Sequence, residues 1–231
     1  MSNSITEAAR QTPIIHKTQL LVVGSGPGGL AAAIAASREG VETTLLERYG
    51  CFGGNLTQVG VEGFAWYRHD KTIDSVGIGI EFEERAKSMN LSSPEPQSNS
   101  HAIDGEGFKY VADILVQEAG ITPMLHRMMV ATIMDGKTIK GVIVESKAGR
   151  EAIIADRVID ATGDADVAYR SGAEVFKTPT EDMMAASVMF SMTGVDKQKF
   201  IANVKNNPHT YSDWCGPDWA MKTSGKEDKL F

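Results

Sequence analysis

Hydrophobic positions fall into runs whose spacing changes along the chain. Gln19 to Val23 (QLLVV) is a short apolar, partly β-branched run ending at a glycine, the pattern of a strand buried on both faces. Gly28 to Arg38 has small residues at helical spacing, with Leu30, Ile34 and the alanines on one side. Val41 to Leu46 is a second apolar strand. Strand, tight turn, helix and strand in quick succession predict a right-handed βαβ unit. Cys51 to Asp74 is glycine- and aromatic-rich without periodicity, a long loop of the kind that folds over a ligand. Ile78 to Met89 and Asp104 to Gln117 read as amphipathic helices. Glu81, Glu83, Glu84 and Arg85 fall on a solvated face of the first, and Phe108, Val111, Ala112 and Leu115 on the apolar face of the second. Between them Leu91 to Ser100 is a Pro/Ser linker or surface loop.

Four strand-like runs follow, at Ile121 to Leu125, Met129 to Met134, Ile139 to Ser146 and Glu151 to Ala155. The turn signals Asp135-Gly136 and Ala148-Gly149 separate the last three, which predicts a β-meander inserted between parallel strands. Val158 to Ala161 is a further buried strand, ending at Thr162-Gly163. Beyond Pro179, Ala186 to Met192 reads as a strand and Lys197 to Lys205 as a helix, while Trp214 to Phe231 shows no clear element. The expected fold class is α/β: a Rossmann-like, three-layer domain with a mostly parallel sheet. Its expected limits are a flexible arm over 1–18, the binding domain over 19–177 and the start of a substrate or cap domain over 178–231.

Bulk properties narrow the function classes. A 231-residue chain with 42% hydrophobic and 23% charged residues is ordinary for a soluble globular protein. A net charge of −7 without a Lys/Arg run argues against a nucleic-acid partner. No stretch approaches the roughly 20 apolar residues of a membrane span, and Met1 to Thr18 has no apolar signal core. Cys51 and Cys215 lie far apart and form no CxxC pair, so a reducing cytoplasm is the expected location.

Gly24-Ser25-Gly26-Pro27-Gly28-Gly29 fits G-x-G-x-x-G between a predicted strand and a predicted helix. In this pattern Gly24 permits the tight turn, Gly26 lets backbone approach a pyrophosphate, and Gly29 lets the helix pack on the strand. The helix N-terminus then offers N–H groups and a positive dipole end to the diphosphate. Glu47 closes the second strand where an acid accepts ribose hydroxyls, and an acid there disfavours a 2′-phosphate.

The run LLVVGSGPGGLAAAIAASREGVETTLLERYGCFGGN resembles the start of FAD-dependent oxidoreductases of the flavoprotein superfamily. A second block, RVIDATGDADVAYRSGAE, resembles the strand and turn that close the same cofactor site. The likeness is to the broad oxidoreductase group more than to the fumarate-reductase branch, and covers about residues 19 to 195. It implies FAD as cofactor, with Gly53-Gly54 leaving room for it. The implied contact residues are Gly24, Gly26, Pro27, Gly28, Gly29, Glu47, Arg48, Gly53, Gly54, Thr162, Gly163 and Asp164. It also implies hydride transfer between flavin and a small-molecule substrate. Family members run well beyond this length, so a partner subunit or homo-oligomer completing the site is a second expectation, in which this chain alone is not an enzyme.

For substrate chemistry, Arg68 suits a carboxylate and His69 suits proton transfer; an exposed polar loop is the commoner reading of the same residues. A lone Cys51 does not support dithiol exchange with flavin. His101, His126 and His209 have no metal-site spacing, so no metal is expected. The Asp164/Asp166 pair suits helix N-terminal charge compensation at least as well as acid–base chemistry. An NAD-binding Rossmann protein, and a thiazole-synthase-like relative that uses the dinucleotide as a ligand, remain open alternatives.

Overall fold

The computed structural model describes residues 4–64, 68–69, 72–73, 76–94, 101–184 and 186–207, without the side chains of residues 68, 69, 72 and 73. In chain order the elements are β1 (Ile14–Val23), α1 (Pro27–Arg38), β2 (Thr43–Leu46), β3 (Arg68–His69), β4 (Thr72–Ile73), α2 (Ile78–Ser88), β5 (Ser92–Pro94) and β6 (His101–Ile103). Then come α3 (Gly105–Glu118), β7 (Thr122–Met124), β8 (Met128–Asp135), β9 (Thr138–Ser146), β10 (Gly149–Asp160), α4 (Asp166–Arg170) and α5 (Lys197–Asn206).

One six-stranded sheet runs β7-β2-β1-β10-β9-β8. Its first four strands are parallel and the last two antiparallel. The alternation along β1 explains the layers. Leu20 and Val22 join Leu45 against Leu30 and Ile34 of α1, Phe82 of α2 and Phe108, Val111 and Leu115 of α3. Leu21 and Val23 point the other way, into a second cluster with Leu46, Ile153 and Ala155. There the β8–β9 hairpin contributes Met129, Val142 and Val144, and α4 contributes Val167. The chain is therefore α/β, with α1, α2 and α3 on one face of a mixed sheet and α4 on the other, where the β8–β9 end of the same sheet adds its side chains. Phe108 anchors the helical layer, with edge-to-face contacts to Phe82 (centroids 5.8 Å apart) and Phe64 (6.2 Å). Asp104 caps α3 by accepting from the Gly107 N–H at 3.0 Å.

Two charge pairs strap the helices together outside this core. Arg38 donates both guanidinium nitrogens to Glu81 (2.6 and 2.7 Å), and Arg85 does the same to Glu118 (2.8 Å each). The bond from Arg38 holds the Glu81 carboxyl below its ordinary pKa, and that from Arg85 does so for Glu118.

Several expectations need correction. β1 begins at Ile14 rather than Gln19, because Ile14 to Thr18 pair with Ala152 to Ala155 of β10. The runs Glu151 to Ala155 and Val158 to Ala161 form one strand, so the last strand of the meander is itself the parallel partner of β1. Part of the expected 91–100 linker pairs as β5 with β6. Glu83 does not lie on a solvated face: its side chain is 0% exposed and accepts an ion pair from Lys87 at 2.6 Å. Ala186 to Met192 forms no strand, and among the described residues no strand pairs with it. Val188, Phe190 and Met192 are largely exposed there, as are Phe176 and Met184 before it. Among the described residues no helix is long and apolar enough to cross a membrane.

Candidate dinucleotide-binding site

The parallel register brings three strand ends to one edge. Val23 lies beside Leu46 on one side and Asp160 on the other, so the turns that follow emerge together. The Gly24 N–H donates to Leu46 O (2.8 Å), and the Ala161 N–H donates to Val23 O (2.9 Å). Gly24 takes a left-handed φ of +96°, and a Cβ there would collide with Ala161 O. A Cβ at Gly29 would overlap Gly24 O, so this glycine is what allows α1 to start against the strand.

Gly26 and Gly28 differ from these two. Among the described residues, a Cβ at either would meet nothing within 4 Å. Gly26 is the N-cap of α1 with ordinary φ (−59°), and Pro27 follows inside the first turn. That terminus has no side-chain cap and no acidic residue in its first turn. The first N–H groups of a helix have no intrahelical acceptor, so this end presents donors and a positive dipole outward. They face a cavity of about 600 Å³, within the range of small-molecule and cofactor sites.

The cavity is lined by Gly24, Gly26, Pro27, Gly28, Gly29, Glu47, Arg48, Gly54, Thr162 and Gly163, ten of the residues expected from sequence. Gly53 is not in the lining. Its N–H braces the glycine turn by donating to Ser25 O at 2.9 Å. Gly54 stands over the turn so closely that a Cβ would lie 2.7 Å from Gly26 Cα. Asp164 is also outside the lining, whereas Asp160, Ala165 and Asp166 belong to it.

Glu47 is buried at the end of β2, and its carboxylate is held from two sides. Oε2 accepts from the Ser25 N–H (2.9 Å) and from the Ser25 hydroxyl (2.6 Å), and Oε1 accepts from the Tyr49 N–H (2.9 Å). The Arg48 guanidinium stacks over the Tyr49 ring, 4.8 Å from its centroid. On the opposite wall Asp160 organises the second turn. Its Oδ1 accepts from the Thr162 N–H and hydroxyl (3.1 and 2.7 Å), and its Oδ2 from the Ala168 N–H (2.9 Å). Thr162 Oγ1 accepts from the Asp166 N–H (2.9 Å), and Asp166 sits in the first turn of α4, where a carboxylate offsets the helix dipole.

Sequence reasoning missed Ser25 and Asp160 as organisers, and Arg127, Met128 and Met129 as lining residues. The signal for the last three was the apolar run at 121–125. It forms β7, parallel to β2, and delivers the following residues to the same sheet edge. The Arg127 N–H donates to Glu47 O at 3.0 Å.

Arg68 and His69 form β3, paired with β4, and their side chains lie outside the described residues, as do Trp66, Tyr67, His209 and Cys215. Cys51 is a free cysteine accepting from Gln58 Nε2 at 2.6 Å. Among the described residues no cluster of three His, Cys, Asp or Glu is placed to hold a metal ion.

These residues fit FAD. The open glycines, the uncapped helix end and the carboxylate at the β2 terminus suit a diphosphate and a ribose.

Comparison with known proteins agrees. Thiamine thiazole synthases of Sulfolobus acidocaldarius and Metallosphaera sedula are 28% and 29% identical to it, over 65% and 64% of this chain and 57% and 55% of theirs. The chain thus spans little more than half the length of these curated relatives. Among solved structures, THI4 of Thermovibrio ammonificans superposes with a TM-score of 0.50 at 18% identity, covering 67% of this chain and 61% of that one. A flavin-dependent brominase superposes with a TM-score of 0.51 at 15% identity, covering 68% and 40%. Both likenesses concern the fold. The sequence profile described as FAD dependent oxidoreductase matches residues 19–229, nearly the whole chain. The chain belongs to the FAD dependent oxidoreductase family.

Proposed function

We propose that this chain forms the FAD-holding part of an oxidoreductase that moves a hydride between flavin and a small organic substrate. The observation that carries the reading is the α1 N-terminus. Among the described residues nothing gives the two glycines there a steric reason, and they open onto a cofactor-sized cavity. Flavin supplies the hydride chemistry when bound, and the protein supplies binding, orientation and electrostatics. The α1 donors hold the diphosphate, Glu47 accepts from the adenosine ribose, and the Asp160-braced turn at Thr162 and Gly163 forms the facing wall. Arg68 as a carboxylate partner and His69 as a proton carrier are the residues to test for substrate chemistry.

The experiment is the absorption spectrum of the purified protein after gel filtration with FAD. A retained band near about 450 nm, that of oxidised flavin, supports the reading, and its bleaching by a substrate identifies that substrate. A colourless protein that retains no FAD refutes it. His69→Ala with unchanged substrate-dependent bleaching removes His69 from the chemistry.

The identity to thiamine thiazole synthases favours a second reading, in which the dinucleotide is a bound ligand of a biosynthetic reaction and no hydride turnover occurs. Flavin or another dinucleotide that stays bound, with no organic reductant able to bleach it, is the outcome that selects this reading over the first.

A further inference from the structure

The hydrogen bonds around Glu47 bear on how the ribose is read. A carboxylate has about four lone-pair positions for hydrogen bonds. Three of Glu47's are taken: both at Oε2 by the Ser25 N–H and hydroxyl, and one at Oε1 by the Tyr49 N–H. Ser25 is fully buried and Glu47 nearly so, so water offers no easy replacement for these bonds. Breaking the 2.6 Å bond to admit a ligand hydroxyl would leave the Ser25 Oγ–H buried without an acceptor, which costs more than the new bond returns. A ribose presents two neighbouring hydroxyls, and the described residues leave one acceptor position.

We infer that Ser25 restricts Glu47 to a single ribose hydroxyl, making Ser25 a positioning residue that sets which ribose hydroxyl the site recognises. The inference rests on the reading that Glu47 faces the adenosine ribose. One hydroxyl donates to Oε1, and the other gains nothing from this carboxylate. In Ser25→Ala the backbone bond to Oε2 persists while the hydroxyl's place is vacated, so the second ribose hydroxyl gains an acceptor.

The test is calorimetric titration of the purified protein with ADP, 2′-deoxy-ADP and 3′-deoxy-ADP. One deoxy analogue is expected to bind about tenfold more weakly than ADP, the size of one charge-assisted hydrogen bond, and the other within roughly twofold of ADP. In Ser25→Ala both analogues are expected to bind more weakly than ADP. In Glu47→Ala the difference between them disappears. Equal losses for both analogues in the unsubstituted protein overturn the inference and leave the ribose reading standing. No loss for either analogue, or no binding of ADP, overturns the ribose reading and the inference together. The unsubstituted protein alone decides the matter if Ser25→Ala does not fold.

Discussion

Gly26 and Gly29 sit three residues apart at the start of α1, and the geometry predicts opposite consequences for the same added methyl. At Gly26 the new Cβ meets nothing within 4 Å among the described residues, and φ −59° with ψ 176° is open to alanine. Loss of glycine's unfolded-state freedom stabilises by about 0.4–1 kcal/mol, and the poorer N-cap residue takes back roughly half a kcal/mol. The two nearly cancel, so Gly26→Ala should melt within a degree or two of the unsubstituted protein without cofactor. On the proposed placement of FAD, the methyl stands where the diphosphate must approach. Overpacking of one methyl costs about 1–3 kcal/mol, or roughly fivefold to somewhat over a hundredfold in Kd. At FAD a hundredfold above the original Kd, binding adds about 2.7 kcal/mol of stability, and a hundredfold weaker Kd leaves about 0.4. Thermal denaturation with and without FAD reads that difference as several degrees of lost response. At Gly29 the methyl overlaps the carbonyl oxygen of Gly24, a residue whose N–H is tied to Leu46 O and which has no room to shift towards Ala161. Gly29→Ala should therefore cost about 3 kcal/mol or more without any ligand. If Gly26→Ala melts as early as Gly29→Ala, or keeps the full FAD response, the diphosphate does not lie at Gly26.

Phe108→Ala removes the ring at the centre of the helical layer and should cost about 3–5 kcal/mol in urea unfolding; a loss under about 1 kcal/mol would mean that the layer re-closes. Asp160→Ala strips acceptors from the Thr162 and Ala168 N–H groups, and should weaken FAD binding as well as lower stability by about 1–3 kcal/mol. Glu81 and Glu118 have lowered folded-state pKa values, so their pairs stabilise above the ordinary carboxyl value of 4.5 and lose that contribution as pH falls through the folded values. Unfolding measured from pH 6 down to pH 3 should show a shallower acid slope in the Glu81→Gln/Glu118→Gln double variant, and an unchanged slope would show the pairs to be idle.

The strand–glycine turn–helix–strand unit was legible because each piece carries its own signal: a β-branched run, obligatory glycines and a terminal acid within one short stretch. The helical spacing of Phe108, Val111, Ala112 and Leu115 likewise marked the buried face of α3. What was not legible depended on partners distant in the chain. Ile14 to Thr18 are too polar to announce a strand, and become one only because β10 lies alongside. The exposed pattern of α2 concealed Glu83, whose burial is set by what packs over it and not by its neighbours in sequence. Ser25 occupies a variable position of the glycine pattern, so nothing local revealed its bond to Glu47. Arg127 and Met129 reach the cavity only because β7 joins the sheet in parallel beside β2.

The long β1–β10 pairing has a kinetic consequence. β8, β9 and β10 follow one another through tight turns, so they can zip together soon after collapse. β1 must wait for β10 across most of the binding domain, a loop closure whose entropy is paid before any contact repays it. Both turns of the candidate site hang from that last pairing, so refolding should restore hairpin structure first and, on the proposed reading, the capacity to hold FAD only with the final slow phase.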